Sequence, residues 1–290
     1  MSYDLYFYKK QDNNVSKKEI FKYLEENNVK KEDPAHTNYV YENESTGVYF
    51  IIEDDVVGDD FNEKEEIKNF EGFESLNFAL LLNNIRPDFF GKETSLFVDK
   101  FVKKFDLYTF DFIDDLIFKP KEGEIYERWS EPNRQFSLKP DFADSLFFYP
   151  LERSNKIWEY SFCLKEMQDE LGGNYYVPNV FYIKDKDTNK VITVTTWTDH
   201  IPTVIPEVDF IMLNQITKGF FKNINKSVVV SYNTLMKQMG QYFEEYKNNC
   251  KIIRQENSSK CGNDFMVLPA EKQKESFEPI GLHSITNYVS

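Results

Sequence analysis

Tyr39-Val40-Tyr41-Glu42-Asn43-Glu44-Ser45-Thr46-Gly47-Val48-Tyr49-Phe50-Ile51-Ile52-Glu53 is two β-forming runs folded about a polar centre. Tyr39 to Glu42 and Val48 to Glu53 carry the aromatic and β-branched side chains that suit a pleated surface. Asn43 to Gly47 between them supply turn chemistry, and Gly47 stands near the loop's end, where a positive φ suits glycine. The stretch predicts a β-hairpin, and with it an antiparallel sheet. What covers that sheet is read from the flanks.

Upstream, Tyr3 to Tyr8 reads as a short buried strand. Ser16-Lys17-Lys18-Glu19 then has the form of a capping box, in which the serine hydroxyl and the glutamate satisfy each other's orphan amides. Ile20, Phe21 and Leu24 follow at helical spacing, so a helix is predicted over 17–28. Downstream, eight acids and one base (Lys64) fall between Glu53 and Glu66. Such a block repels itself and reads as a solvated segment. Leu76, Phe78, Leu80 and Leu82 alternate with period two and predict a strand that Pro87 closes off. Phe97, Val98, Phe101, Val102 and Phe105 share one helical face, and Asp106 to Phe112 forms a last strand. The order β-α-β-β-β-α-β points to an α+β unit, with helices covering a largely antiparallel sheet.

Residues 116–150 contain Pro120, Pro132, Pro140 and Pro150. Each proline removes a backbone donor, and the segment is predicted to be an irregular connection between units spanning 1–115 and 151–290. In the second unit, Ile157, Tyr160, Leu164, Met167 and Leu171 mark a helix ended by Gly172-Gly173. Val180 to Lys184 and Val191 to Trp197 predict a hairpin. Ile201 to Pro206 breaks the pattern, and Phe210 to Leu213 and Val228 to Val230 read as further strands. Leu235, Met236, Met239, Tyr242, Phe243 and Tyr246 predict a helix, and Asn257 to Lys260 a mobile loop. The expected fold class is α+β, in two halves each with a largely antiparallel sheet and covering helices.

Of 290 residues 41% are hydrophobic, with 27 Phe and 18 Tyr, so the core is expected to be aromatic. No apolar run approaches the ~20 residues that cross a bilayer. The net charge of -14 disfavours nucleic acid, whose phosphates select basic surfaces, and suits association with basic proteins. Cys163, Cys250 and Cys261 form no CxxC pair. Their odd number, with no cationic start and apolar stretch of a secretory signal ahead of Met1-Ser2-Tyr3, predicts reduced thiols and a cytoplasmic protein.

Motifs that carry chemistry are absent from the sequence. Its three histidines, His36, His200 and His283, make no zinc spacing. There is no Gly-x-Ser-x-Gly elbow and no Gly-x-Gly-x-x-Gly, and Gly91-Lys92-Glu93-Thr94 lacks the rest of a phosphate loop and reads as a helix start. Asp199-His200 is adjacent in sequence, which favours a locally bonded pair over a catalytic dyad. Asp54/Asp55, Asp59/Asp60 and Asp114/Asp115 do not follow the alternation of a calcium loop. No cofactor, metal or catalytic residue is assigned. Two features remain as candidate partner contacts: the acids Asp54, Asp55, Asp59, Asp60, Glu63, Glu65 and Glu66, and Trp129 in Tyr126-Glu127-Arg128-Trp129-Ser130-Glu131-Pro132. Tryptophan and arginine are enriched at interface hot spots, although burial under the connection is the commoner place for such a ring.

Tyr41-Glu42-Asn43-Glu44-Ser45-Thr46-Gly47-Val48-Tyr49-Phe50 resembles a segment of bacterial proteins of polymorphic-toxin loci that look like toxin immunity proteins. The opening Met1 to Tyr8 with its capped helix, Phe70-Glu71-Gly72-Phe73 and Asn84-Ile85-Arg86-Pro87-Asp88-Phe89-Phe90-Gly91 resemble the same pattern. The resemblance covers the first ~100 residues, with a weaker echo at Trp197 to Pro202. Because these are fold-forming turns and aromatics, it implies kinship and carries over no catalytic residue. The function it implies is stoichiometric binding of a cognate, basic toxin that acts in the cytosol, by occlusion. Two other classes stay open: a hydrolase reversing a toxin's modification, and an adaptor of a secretion system.

Overall fold

The computed structural model describes residues 1–32, 38–54, 68–218 and 223–288. The chain divides into two units, Met1–Leu146 and Phe147–Ser290. Both are α+β.

The first unit is built on a seven-stranded sheet. Strand β1 (Ser2–Lys10) leads into helix α1 (Lys17–Glu26), whose N-terminus closes with the capping box of Ser16 and Glu19. A short β2 (Val29–Lys31) precedes the hairpin of β3 (Asn38–Asn43) and β4 (Val48–Asp54), in which Tyr41 pairs with Phe50 and Gly47 takes φ 72°. Then come β5 (Phe73–Asn83), α2 (Phe89–Phe105), β6 (Tyr108–Phe110) and β7 (Ile117–Phe118). The strand order is β2-β3-β4-β5-β1-β6-β7, antiparallel throughout. In β1 the buried residues alternate as Tyr3, Leu5 and Phe7 until the register with β5 shifts between Tyr6 and Tyr8, which brings Tyr8 inside as well. Phe7 meets Phe78 of β5 and Phe101 of α2 at ring separations of 5.1 and 5.2 Å, and Tyr23 of α1 stacks on Phe101. The core is aromatic, as the composition predicts.

The connection expected to be irregular is largely helical. Helix α3 (Glu124–Ser137) and the short α4 (Pro140–Ala143) belong to the first unit. Pro132 lies inside α3, where it deprives the Arg128 carbonyl of its usual donor. The helix persists because Ile125 and Trp129, four residues apart, are wholly buried, and tertiary packing outweighs a local breaker.

The second unit opens with β8 (Phe147–Pro150), α5 (Leu151–Phe162) and α6 (Leu164–Leu171). The single helix predicted here is broken at Cys163 and ends, as read, at Gly172 with φ 73°. Strands β9 (Phe181–Asp185) and β10 (Lys190–Thr198) form the expected hairpin. β11 (Thr203–Ile205) occupies the stretch read as a break, and β12 (Phe210–Lys218) and β13 (Asn223–Ser231) form a second hairpin. Helix α7 (Tyr232–Met239) stops short of the aromatics assigned to it. Phe243 instead enters β14 (Phe243–Glu245), which pairs with β15 (Lys251–Ile253), itself paired with β11. The segment read as a mobile loop lies in α8 (Gln255–Lys260), followed by α9 (Gly262–Met266). β16 (Phe277–Pro279) adds to the edge of a five-stranded sheet ordered β13-β12-β10-β9-β16, whose one parallel pair is β10 with β12. β17 (Ile285–Tyr288) lies parallel to β8. Trp197 centres this unit's core, edge-on to Phe265 at 4.7 Å and to Phe243 at 5.5 Å.

Candidate interaction surface

Each sequence candidate has a distinct fate. Asp54 ends β4 and pairs with Lys17 in the first turn of α1, so part of its charge is used in joining two elements. Asp55, Asp59, Asp60, Glu63, Glu65 and Glu66 lie outside the described residues, as does His36. Trp129 is a correction. Its side chain is fully buried, and its ring lies so close to Gly91 of α2 that a Cβ there would sit 2.6 Å from Cζ3 and closer still to Cε3. A ring that holds α3 against α2 offers no surface to a partner.

Asp199 and His200 form a local pair, with Nε2 3.4 Å from Oδ2. Among the described residues no nucleophile hydrogen-bonds to either side chain. Ser258 Oγ is within hydrogen-bond reach of the backbone carbonyls of Gln255 and His200, at 3.0 and 3.3 Å, and the Cys261 thiol is buried and pushed up to about 11 by burial first and Asp199 second. Burial likewise raises the Cys250 thiol to about 12. Among the described residues, no group of three or more His, Cys, Asp and Glu could hold a metal ion, and no helix is long and apolar enough to cross a membrane.

A surface does assemble between the end of the strand read over Asp106 to Phe112 and the stretch read as connection. Just after β6, Asp111 is buried and used three ways. It accepts the Tyr3 hydroxyl at 2.7 Å, the Ile113 backbone N–H at 3.0 Å, and Arg128 at 3.3 Å. The bond to Ile113 closes an Asx-type turn, which ends the strand and sends the next side chains outward. Phe112 is 42%, Ile113 51% and Leu116 66% exposed. Phe112 is held edge-on against Tyr6 and Phe110, so this apolar ridge is anchored at its base.

Facing the turn is the outer side of α3. Glu124, Glu127, Arg128, Glu131 and Gln135 recur at the spacing of one helical face and, with Ile113, Asp114 and Pro132, line an open groove of about 490 Å³. Arg128 is consumed within it. Its Nε reaches Glu124, Nη1 reaches Asp111, Nη2 reaches Asp114, and its Cζ lies 4.0 Å from the centre of the Phe118 ring. Among the described residues neither Glu127 nor Glu131 pairs with a cation. Glu131 accepts only the Gln135 amide, at 2.9 Å.

A second cleft of this unit, about 410 Å³ between α2 and residues 119–122, mixes Lys100, Lys103 and Lys119 with Asp99 and Glu122 and favours neither sign. The signal that could have located this candidate surface is Asp111-Phe112-Ile113-Asp114-Asp115-Leu116. Acids and large apolar residues are mixed there with no strand or helix period to bury the latter.

No protein-family model, curated protein or solved structure matches this chain.

Proposed function

We propose that this protein is a toxin-neutralising immunity protein of the cytoplasm, which holds a basic toxin in a stoichiometric complex and blocks its active site or an essential surface. One observation supports this reading above others: the groove between the Phe112–Leu116 turn and α3 sets Glu127 and Glu131, which pair with no cation among the described residues, beside exposed apolar side chains. An apolar patch rimmed by charge is the composition of a docking surface, and the surplus of acids gives fast, steered encounter with a basic protein. Capture before damage is what self-protection demands. The reading requires no turnover, cofactor or nucleic acid.

The test is co-expression with the product of a toxin gene lying directly upstream. A one-to-one complex by light scattering, with relief of toxicity that rises in proportion to dose, is the expected result. Relief at far below stoichiometric amounts without a complex would refute occlusion and favour a hydrolase that reverses the toxin's modification.

A further inference from the structure

Resting on that reading, we infer that the groove receives an arginine side chain of the partner, with the guanidinium between Glu127 and Glu131 and its stem against Ile113 and Pro132. Glu127 and Glu131 are four residues apart on α3 and both line the groove, so the two residues are neighbours along one helical face. Arg128, the one base lining the groove among the described residues, already engages Glu124, Asp111 and Asp114. It has no fork left for a second pair of acids. The uncompensated charge thus belongs to the incoming molecule.

Two features select the chemistry of that charge. A guanidinium presents donors in a rigid planar fork that bridges two carboxylates, whereas an ammonium is a strongly hydrated point charge. The groove is also partly apolar, with Ile113 and Pro132 in its wall and Phe112 and Leu116 on the adjoining ridge. A weakly hydrated, flat cation on an aliphatic stem suits such a lining, and an apolar neighbour of the arginine would meet the ridge. Arg128 shows the same arrangement within the fold, its guanidinium bridging acids while it lies over the Phe118 ring. A bare metal ion would gain nothing from the apolar wall, and no three-ligand set exists among the described residues.

The experiment uses the ¹⁵N-labelled full chain and the peptide N-acetyl-Leu-Arg-Leu-amide, with its lysine and citrulline counterparts. The arginine peptide is expected to give saturable shifts at Ile113, Leu116, Glu127 and Glu131, and the citrulline peptide none there. The double variant Glu127→Gln/Glu131→Gln should weaken binding at least about tenfold, the factor expected for one charge-assisted contact. A control pair on other exposed faces, Glu25→Gln/Glu152→Gln, should leave it unchanged, and unaltered melting of both variants secures the comparison. Equal affinity for the lysine peptide overturns the guanidinium assignment. Shifts confined to other acidic stretches overturn the groove while leaving a basic partner in place. Saturable binding here, together with failure of any basic toxin to form a one-to-one complex, upholds the arginine site and sinks the immunity reading.

Discussion

Replacing Gly91 by alanine tests the placement of α3, on which the whole groove depends. Gly91 is the third residue of α2, where alanine would by itself favour the helix by up to about 1 kcal/mol. The new Cβ, however, would fall 2.6 Å from Trp129 Cζ3, well inside the 3.4–4 Å of ordinary contact. Trp129 is completely buried, so its ring has no solvent to retreat into, and relief requires α3 to move off α2. Overpacking of this kind costs about 1–3 kcal/mol. Net of the propensity gain, Gly91→Ala should destabilise by about 1–2 kcal/mol, read as a lower urea midpoint at unchanged slope in far-UV circular dichroism. The decisive comparison is a double-mutant cycle with Trp129→Leu, itself expected to lose about 2–4 kcal/mol through the cavity it leaves. With the ring gone, Gly91→Ala should become neutral or mildly stabilising, giving a coupling of about 1–3 kcal/mol. Equal effects in both backgrounds, or a stabilised single variant, would mean that Trp129 does not lie on Gly91. The cycle also bears on function: lost partner binding in a Trp129 variant would report a displaced α3 and not a missing contact.

In the second unit, Asp209 accepts the Thr193 N–H at 2.8 Å and hydroxyl at 3.0 Å, the Tyr149 hydroxyl at 3.3 Å and Arg153 at 2.7 Å. Asp209→Ala should lose about 2–3 kcal/mol in urea denaturation, mostly from the Thr193 bonds, since the Arg153 pair is solvent-screened; a loss below about 0.5 kcal/mol would refute this clamp. For the thiols, the unfolded chain releases its protons first, near pH 8.5–9, while the folded Cys250 and Cys261 hold theirs to about 12 and about 11. Above pH 9 the folded state therefore binds more protons, and stability must fall as pH rises through that window. At pH 8 a disulfide reagent should modify Cys163 alone until denaturant is added, and equally fast labelling of either buried thiol would contradict their burial. For the acidic segment, neutralising Asp55, Asp59 and Asp60 together should lower the association rate with a basic toxin and flatten its salt dependence, with little change in dissociation. Asp54→Asn is kept apart because it also breaks the pair with Lys17; unchanged salt slopes in stopped-flow binding would remove the segment from the encounter.

Most of the first unit was legible because its signals are local and mutually consistent. The Ser16 capping box, the Gly47 hairpin and the alternation of Leu76 to Leu82 each need only a few neighbouring residues to act, and all appear as read. What escaped depends on distant partners. β11 is a strand because Thr203–Ile205 pairs with Lys251–Ile253 almost fifty residues away, a relation that no window contains. Tyr242, Phe243 and Tyr246 fit a helical period, yet Phe243 pairs with Ile253 in a sheet. Prolines misled in the other direction. Pro132 sits within α3 because the burial of Ile125 and Trp129 compensates for one lost hydrogen bond.

The candidate site was hidden for a related reason: charge counted along the sequence says nothing about which charges are already used. The stretch 53–66 stands out by density, and Asp111, Asp114 and Glu124 look equally available on paper. In the fold they are engaged by Arg128. Asp54, within the dense stretch, is engaged by Lys17. Glu127 and Glu131 belong to no run of acids and stand out only once the partners of their neighbours are known. Trp129 drew attention within the same helix for the opposite reason, as a large aromatic outside any visible period. Its period is in fact helical, with Ile125 four residues before it on the buried side of α3. The tryptophan and the two glutamates are therefore complementary halves of one amphipathic helix. Burying the first against Gly91 is what presents the second to a partner, so a change that loosens the Trp129 contact should weaken arginine binding even where every groove residue is intact.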